Sequence, residues 1–203
     1  MTKVAGVLLL ALLAAVPAVA QRLTDAVVPE HYSLWFAPDL EKETFRGRQS
    51  IQVVVTESTN AVTLHAAEIE FGQVRITSGG RTQVARVSTD PKAETATFTV
   101  PQRLGEGPAT IEIEYTGILN DKLRGFYISR ANGRKYAVTQ MEPTDARRAS
   151  PSFDEPAFKA TFDISMMVDP ADTAISNGRV LSDTPGPEPG KHTITYARTP
   201  KMS

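Results

Sequence analysis

His31, His65 and His192 are the only imidazoles in a chain of 203 residues that has no cysteine. A helical zinc-protease site needs two imidazoles one turn apart, so that both meet one metal, with a glutamate between them as base. These three are scattered too widely for that, and no thiolate offers a softer site; they read as ordinary strand or surface residues. A Ser/His/Asp triad is assembled in space rather than by spacing, but no Gly-x-Ser-x-Gly elbow presents a nucleophile. No glycine loop is suited to cradling phosphate.

The element that could carry specificity is Thr139-Gln140-Met141-Glu142-Pro143. On a strand, alternate side chains share a face, so Gln140 and Glu142 point together and Met141 points away. Pro143 ends the ladder and leaves Glu142 at the strand's exit. A carboxylate beside an amide suits a protonated amine, with one charge-assisted bond and one neutral bond. A glutamate at a strand end is also commonly no more than solvated, and the residues alone leave both readings open. Thr144 or Asp145 can cap a short helical turn over Ala146-Arg147-Arg148-Ala149, stopped before Pro151. Asp145, Arg147, Arg148, Asp154 and Glu155 form a dense charge set around two tight turns. It reads as a salt-bridge network that fixes the strand carrying Glu142 rather than as substrate contacts. Tyr136, Phe153, Phe158 and Phe162 read as core.

The elements that must position these residues are strands. His31–Phe36, Ser50–Thr56, Ala61–His65, Gln73–Thr77, Thr95–Val100, Phe162–Met166 and His192–Tyr196 are β-branched, aromatic or alternating. Thr110–Tyr115 is the cleanest period-2 stretch, apolar on one face and charged on the other. Gly, Pro and Asn/Asp turns separate them, with a stiff hairpin loop at Asp183–Gly190. The expected fold is all-β, an antiparallel β-sandwich.

Residues 1–20 stand apart. Lys3 precedes an apolar run from Val4 to Val16, Pro17 breaks it, and Ala18-Val19-Ala20 has the small-x-small pattern of a signal-peptide cleavage site. The run is shorter than the roughly 20 residues a spanning helix needs, and nothing later could cross a bilayer. The expectation is export, to the periplasm or outside the cell, with no membrane partner after cleavage. The absence of cysteine leaves packing alone to hold an exported domain. A net charge of −1 gives no electrostatic case for a nucleic-acid partner.

The block Tyr136–Phe162 is similar to the signature near the end of the N-terminal domain of zinc aminopeptidases of the aminopeptidase N family. Further matches run in the family's order. They are Pro29-x-His31-Tyr32-x-Leu34, Phe45-x-Gly47, Leu64-His65, Tyr115-x-Gly117-x-Leu119-Asn120-Asp121, Gly125-Phe126-Tyr127-x-Ser129, Ile175-Ser176-Asn177 and Thr199–Ser203. The resemblance implies a saddle-like N-terminal β-domain over 21–203, cut at its C-terminal end. It implies that Glu142 binds the free α-amine of a peptide substrate, with Gln140 beside it and Met141 near the first substrate pocket. The family's zinc ligands, glutamate base and transition-state tyrosine lie beyond residue 203. The implied parent is therefore a zinc peptidase that removes N-terminal residues, and this chain holds no catalytic residue and no zinc ligand. Its implied partners are the peptide N-terminus and the missing catalytic domain. The other reading is a stand-alone, non-catalytic β-sandwich serving as a binding or assembly module.

Two positions depart from the family. Ser152 stands where many members have cysteine, and Ser150 where they usually have phenylalanine. Removing a buried phenylalanine ring costs about 3–5 kcal/mol. Ser150→Phe should therefore raise the melting temperature in a calorimetric scan; no change or a drop would refute this.

Overall fold

The structure is a computed structural model that describes residues 22–203; the segment read as a signal peptide lies outside the described residues. Thirteen strands follow one another. They are β1 (Val27–Asp39), β2 (Thr44–Val55), β3 (Thr59–His65), β4 (Ile69–Ser78), β5 (Arg81–Val84), β6 (Arg86–Asp90), β7 (Thr95–Leu104) and β8 (Gly107–Ile118). Then come β9 (Gly125–Ala131), β10 (Arg134–Gln140), β11 (Thr161–Val168), β12 (Val180–Pro185) and β13 (His192–Tyr196). An eight-stranded sheet runs in the order β12-β13-β11-β1-β2-β8-β4-β5, a three-stranded sheet is β3-β7-β6, and β9 and β10 pair alone. The fold is the expected all-β stack, antiparallel throughout except where β1 and β11 run parallel.

Alternation decides which way each strand faces. In β8, Ile111, Ile113 and Tyr115 are buried while Glu112 and Glu114 are exposed. Ile51, Ile111 and Ile76 are directly opposed across β2, β8 and β4, and each is wholly buried. That row meets Leu64, Ala96 and Phe98 of the three-stranded sheet in one core. Phe71 of β4 contacts Phe98 of β7 edge-on at 5.5 Å, closing the two layers face to face. A smaller cluster, Val168, Ile194 and Tyr196, sits at the β11–β13 end, and Met166 packs against both cores. Trp35 faces outward from β1, under the Arg48 guanidinium at 4.0 Å.

The Phe45-x-Gly47 and Tyr115-x-Gly117 spacings acquire a physical reason in the β2–β8 register. Phe45 opposes Gly117 and Gly47 opposes Tyr115, so each aromatic ring lies over the other strand's glycine. A Cβ built on Gly47 would fall inside the Tyr115 ring, and one on Gly117 inside the Phe45 ring. The two rings also meet each other edge-on at 6.3 Å. Phe45 in turn packs at 5.0 Å on Phe126 of β9. Gly117 thereby leaves room for the Phe45 ring, which is the ring that meets the β9–β10 hairpin.

Several local expectations are revised. Tyr136 is not core: β10 has only β9 beside it, so Ala137 faces inward while Tyr136 is 42% exposed, with Arg134 near its ring. Phe153 and Phe158 are buried as expected, and Phe162 is partly buried, stacked on Tyr32 at 4.9 Å. Asp183–Pro185 extends strand β12 rather than belonging to a loop. Strand β7 continues through Pro101 to Leu104.

The glycine–aromatic register gives a direct test. Gly117→Ala should destabilise the chain by about 1–3 kcal/mol, the cost of forcing a methyl into a packed core, as read from urea unfolding. An unchanged midpoint would show that the Phe45 ring can move away freely.

Candidate functional site

The hairpin β9–β10 carries the Thr-Gln-Met-Glu element to the surface. Its inner side is anchored by Phe126 and Ile128, both buried, and its register runs to Gly125 opposite Gln140. The ladder stops at Gln140. Glu142 therefore sits not on the strand, as alternation suggested, but in the turn that follows, where the Asp145 N–H donates to the Met141 carbonyl at 2.8 Å. The Gln140 side-chain amide reaches the Glu142 backbone carbonyl at 3.4 Å rather than lying alongside its carboxylate. Met141 is 40% exposed. Glu142 is exposed and makes no ion pair among the described residues, so its negative charge is available to a cation from solvent.

Behind this turn the chain stays irregular from Met141 to Ala160, apart from a single 3-10 turn at Ala146–Arg148, yet much of it is buried. Buried backbone must find partners. The Ala67 N–H donates to the Arg147 carbonyl, and His65 and Ser152 exchange both of their backbone bonds. The Gln49 side-chain amide donates to the Pro151 carbonyl at 2.7 Å, and the Phe153 N–H donates to the Tyr32 hydroxyl at 3.1 Å. Burial pushes the Tyr32 phenol well above its usual range, so that oxygen stays neutral and acts as an acceptor.

The charge network is built as expected but with different members. Arg147 bonds Asp154 at 2.8 Å and Glu94 at 3.3 Å. Arg148 bonds Asp145 at 2.7 Å, Glu68 at 3.2 Å, and Glu94. Burial works against the Arg148 charge, and the three carboxylates outweigh it, so the guanidinium is held still more firmly protonated. Asp145 stands at the N-cap position but makes no side-chain cap, because its carboxylate is taken by Arg148. Glu155 lies outside the network and accepts from the Leu23 N–H at 2.7 Å. Glu68 and Glu94 were not legible beforehand. Both lie in tight turns with left-handed backbone, φ 58° and 53°, where a side chain is uncommon. Their role emerges only when the turns are brought to Arg148.

The three histidines stay apart in function. His31 gathers Ser33 and Asp163, but both meet the same ring nitrogen, Nε2, each at 3.2 Å, while Nδ1 lies 2.8 Å from Thr161. A triad base needs its carboxylate on the nitrogen opposite the nucleophile, so this is not one. Arg198 also claims Asp163, at 2.6 Å, and holds its carboxyl below the usual range. His192 is a surface strut on Asp183, at 2.6 Å, and that bond raises its pKa above 6.5. Among the described residues no group of three His, Asp or Glu side chains is placed to hold a metal. The residues here do not build a zinc site, and no chemical step is assigned to them. A cleft of about 640 Å³ lies between Ala67, Glu68, Phe71, Glu94, Arg124 and Arg148, without Glu142 in its lining.

The arrangement is thus an exposed carboxylate on a turn closed by Asp145, carried on an all-β body. Residues 28–203 match the Peptidase M1 N-terminal domain, and the chain belongs to that family. It is 35% identical over 190 residues to puromycin-sensitive aminopeptidase of Caenorhabditis elegans, covering 90% of this chain and 20% of that protein. It is 33% identical to aminopeptidase N of Acetobacter pasteurianus, covering 91% of this chain and 52% of that one. With human endoplasmic reticulum aminopeptidase 1 it shares 34% identity, over 77% of this chain and 18% of the relative. The chain thus spans from about a fifth to about half the length of these curated relatives.

His65 couples this region to pH. It is 4% exposed, and its Nδ1 has no hydrogen-bond partner. Burial, and after it the Arg147 charge, push its pKa below 6.5, against Asp154, Glu155 and Glu94. The unfolded chain takes up this proton near pH 6.5 and the folded chain only at lower pH. Stability therefore falls as pH drops through 6.5. Between about pH 7.5 and about pH 5.5, His65→Gln should lose less unfolding free energy than the parent; an equal or larger loss would refute burial of a neutral ring.

Proposed function

We propose that this chain is the substrate-recognition domain of an exported zinc aminopeptidase that removes N-terminal residues from peptides. Glu142 binds the protonated α-amine of the substrate, which sets the exopeptidase register, while Gln140 shapes the turn and Met141 borders the first substrate pocket. The observation that carries this reading is the Glu142 carboxylate, exposed and without an ion-pair partner among the described residues, on a turn closed by the Asp145 N–H and backed by the Asp145–Arg148 ion pair. Carboxylate-to-ammonium pairing is strong enough to discriminate a free amine from a blocked one.

The catalytic zinc and the groups around it belong to a further domain of the parent protein. Tyr136, Val138 and Met141 are exposed along the hairpin, and Ile175, Val180 and Leu181 around β12. Such apolar surface supports a role in docking that further domain. The pattern of residues 1–20 supports export, and the peptide N-terminus is the substrate-side partner.

The test uses the full-length product of the gene. Glu142→Gln should lower kcat/KM for free-amine peptides by about 10- to 100-fold, the loss of one charge-assisted bond. Preference over N-acetylated peptides should shrink by the same factor. Unchanged discrimination between the two substrates would sink the assignment.

A further inference from the structure

We propose that Arg148 is a positioning residue for Glu142: it clamps the turn that presents the carboxylate and makes no contact with substrate itself. This rests on the reading of Glu142 as the amine anchor. The Arg148 side chain is only 7% exposed and its charge is spent on Asp145, Glu68 and Glu94, so nothing is left to bind a ligand.

Two contacts carry its effect to Glu142. Asp145 is gripped twice by Arg148, through its carboxylate at 2.7 Å from Nε and through its carbonyl, which accepts the Arg148 N–H at 3.1 Å. The N–H of the same Asp145 closes the Met141–Asp145 turn around Glu142. The second contact is steric. Gly125, opposite Gln140 at the base of the hairpin, has φ 66°, and a Cβ on it would lie 2.5 Å from the Arg148 Cβ. Arg148 therefore abuts the hairpin on one side of Glu142 and holds the turn on the other.

The opposite end of the guanidinium is fixed to the sandwich. Glu68 follows β3 and Glu94 precedes β7, and both hold left-handed backbone while reaching Arg148. Glu142 is thus tied through Asp145 and Arg148 to two turns of the body of the domain. A lysine offers a single point charge and cannot span three carboxylates as the planar guanidinium does.

The experiment is a double-mutant cycle in the full-length enzyme with Asp145→Asn, Arg148→Lys and Glu142→Gln, assayed on free-amine and N-acetylated peptides. Asp145→Asn removes the charge of one partner and leaves the Arg148–Glu68 and Arg148–Glu94 pairs in place, so it serves if Arg148→Lys does not fold. Asp145→Asn should raise KM for free-amine peptides about tenfold with kcat within about twofold. In the Glu142→Gln background the same change should add nothing. Hydrogen exchange should speed at the Asp145 amide while β2 and β8 stay protected. An Asp145→Asn effect of equal size in both backgrounds, or one confined to kcat, would overturn the positioning role. If Glu142→Gln itself leaves discrimination unchanged, the amine-anchor reading falls and this proposal with it. If Glu142→Gln acts while Asp145→Asn leaves KM and the Asp145 exchange rate untouched, the positioning role alone is overturned.

Discussion

Two adjacent arginines, both buried, are the feature around which the end of this domain that carries Glu142 is arranged. Neighbouring like charges cannot be placed in a low-dielectric interior unless carboxylates meet them, because an uncompensated buried charge costs several kcal/mol. Arg147 and Arg148 are met by four: Asp145, Asp154, Glu68 and Glu94. These come from three separate stretches of chain. The β3–β4 connection, the β6–β7 turn and the irregular segment after β10 must therefore close together or not at all. Truncating one partner of such a network costs about 3–5 kcal/mol, comparable to removing a large core side chain. The net therefore gives the crossing segment a fixed shape without a ladder of its own.

That constraint explains why an irregular, buried stretch can exist here. A strand would satisfy its backbone against neighbours, but the chain between β10 and β11 must leave the hairpin, cross beneath β3 and reach the far side of β1, where β11 pairs parallel. Its carbonyls and amides are instead satisfied singly, by His65, Ala67, Gln49 and Tyr32. Two of these partners, His65 and Gln49, would otherwise look out of place in a core. Gln49 is 5% exposed on a face otherwise filled by Phe45, Ile51 and Val53. Gln49 and His65 are therefore complementary to this one segment rather than isolated defects.

Much of the body was legible in the sequence because it rests on local alternation. Thr110–Tyr115 announces both its strand and its buried face, and β1, β2 and β7 do nearly as well. The Phe-x-Gly and Tyr-x-Gly spacings were visible as a resemblance, but their reason needed the register, since each glycine answers an aromatic about 70 residues away. What failed to be legible depends on contacts between distant segments or on position at an edge. Tyr136 alternates like a core residue, yet its strand has no second neighbour to bury it. Asp145 has the spacing of a cap, yet a guanidinium three residues on competes better for its carboxylate than a backbone amide does. Glu68 and Glu94 carry no local signal, because a turn glutamate is ordinarily solvated.

The contrast between Glu142 and the carboxylates around it gives the site its direction. Glu68, Glu94, Asp145 and Asp154 are each held on an arginine, while Glu142 makes no ion pair among the described residues. Its exposure alone would mean little, because free surface glutamates are common. Here, though, the free carboxylate stands on a turn closed by the Asp145 N–H, and Asp145 is itself held on Arg148. A turn held in this way has less conformational freedom than an untethered loop of the same length. On the proposed reading of Glu142 as an amine anchor, a β-body held in this way would set the position of a substrate end and leave the chemistry to another domain.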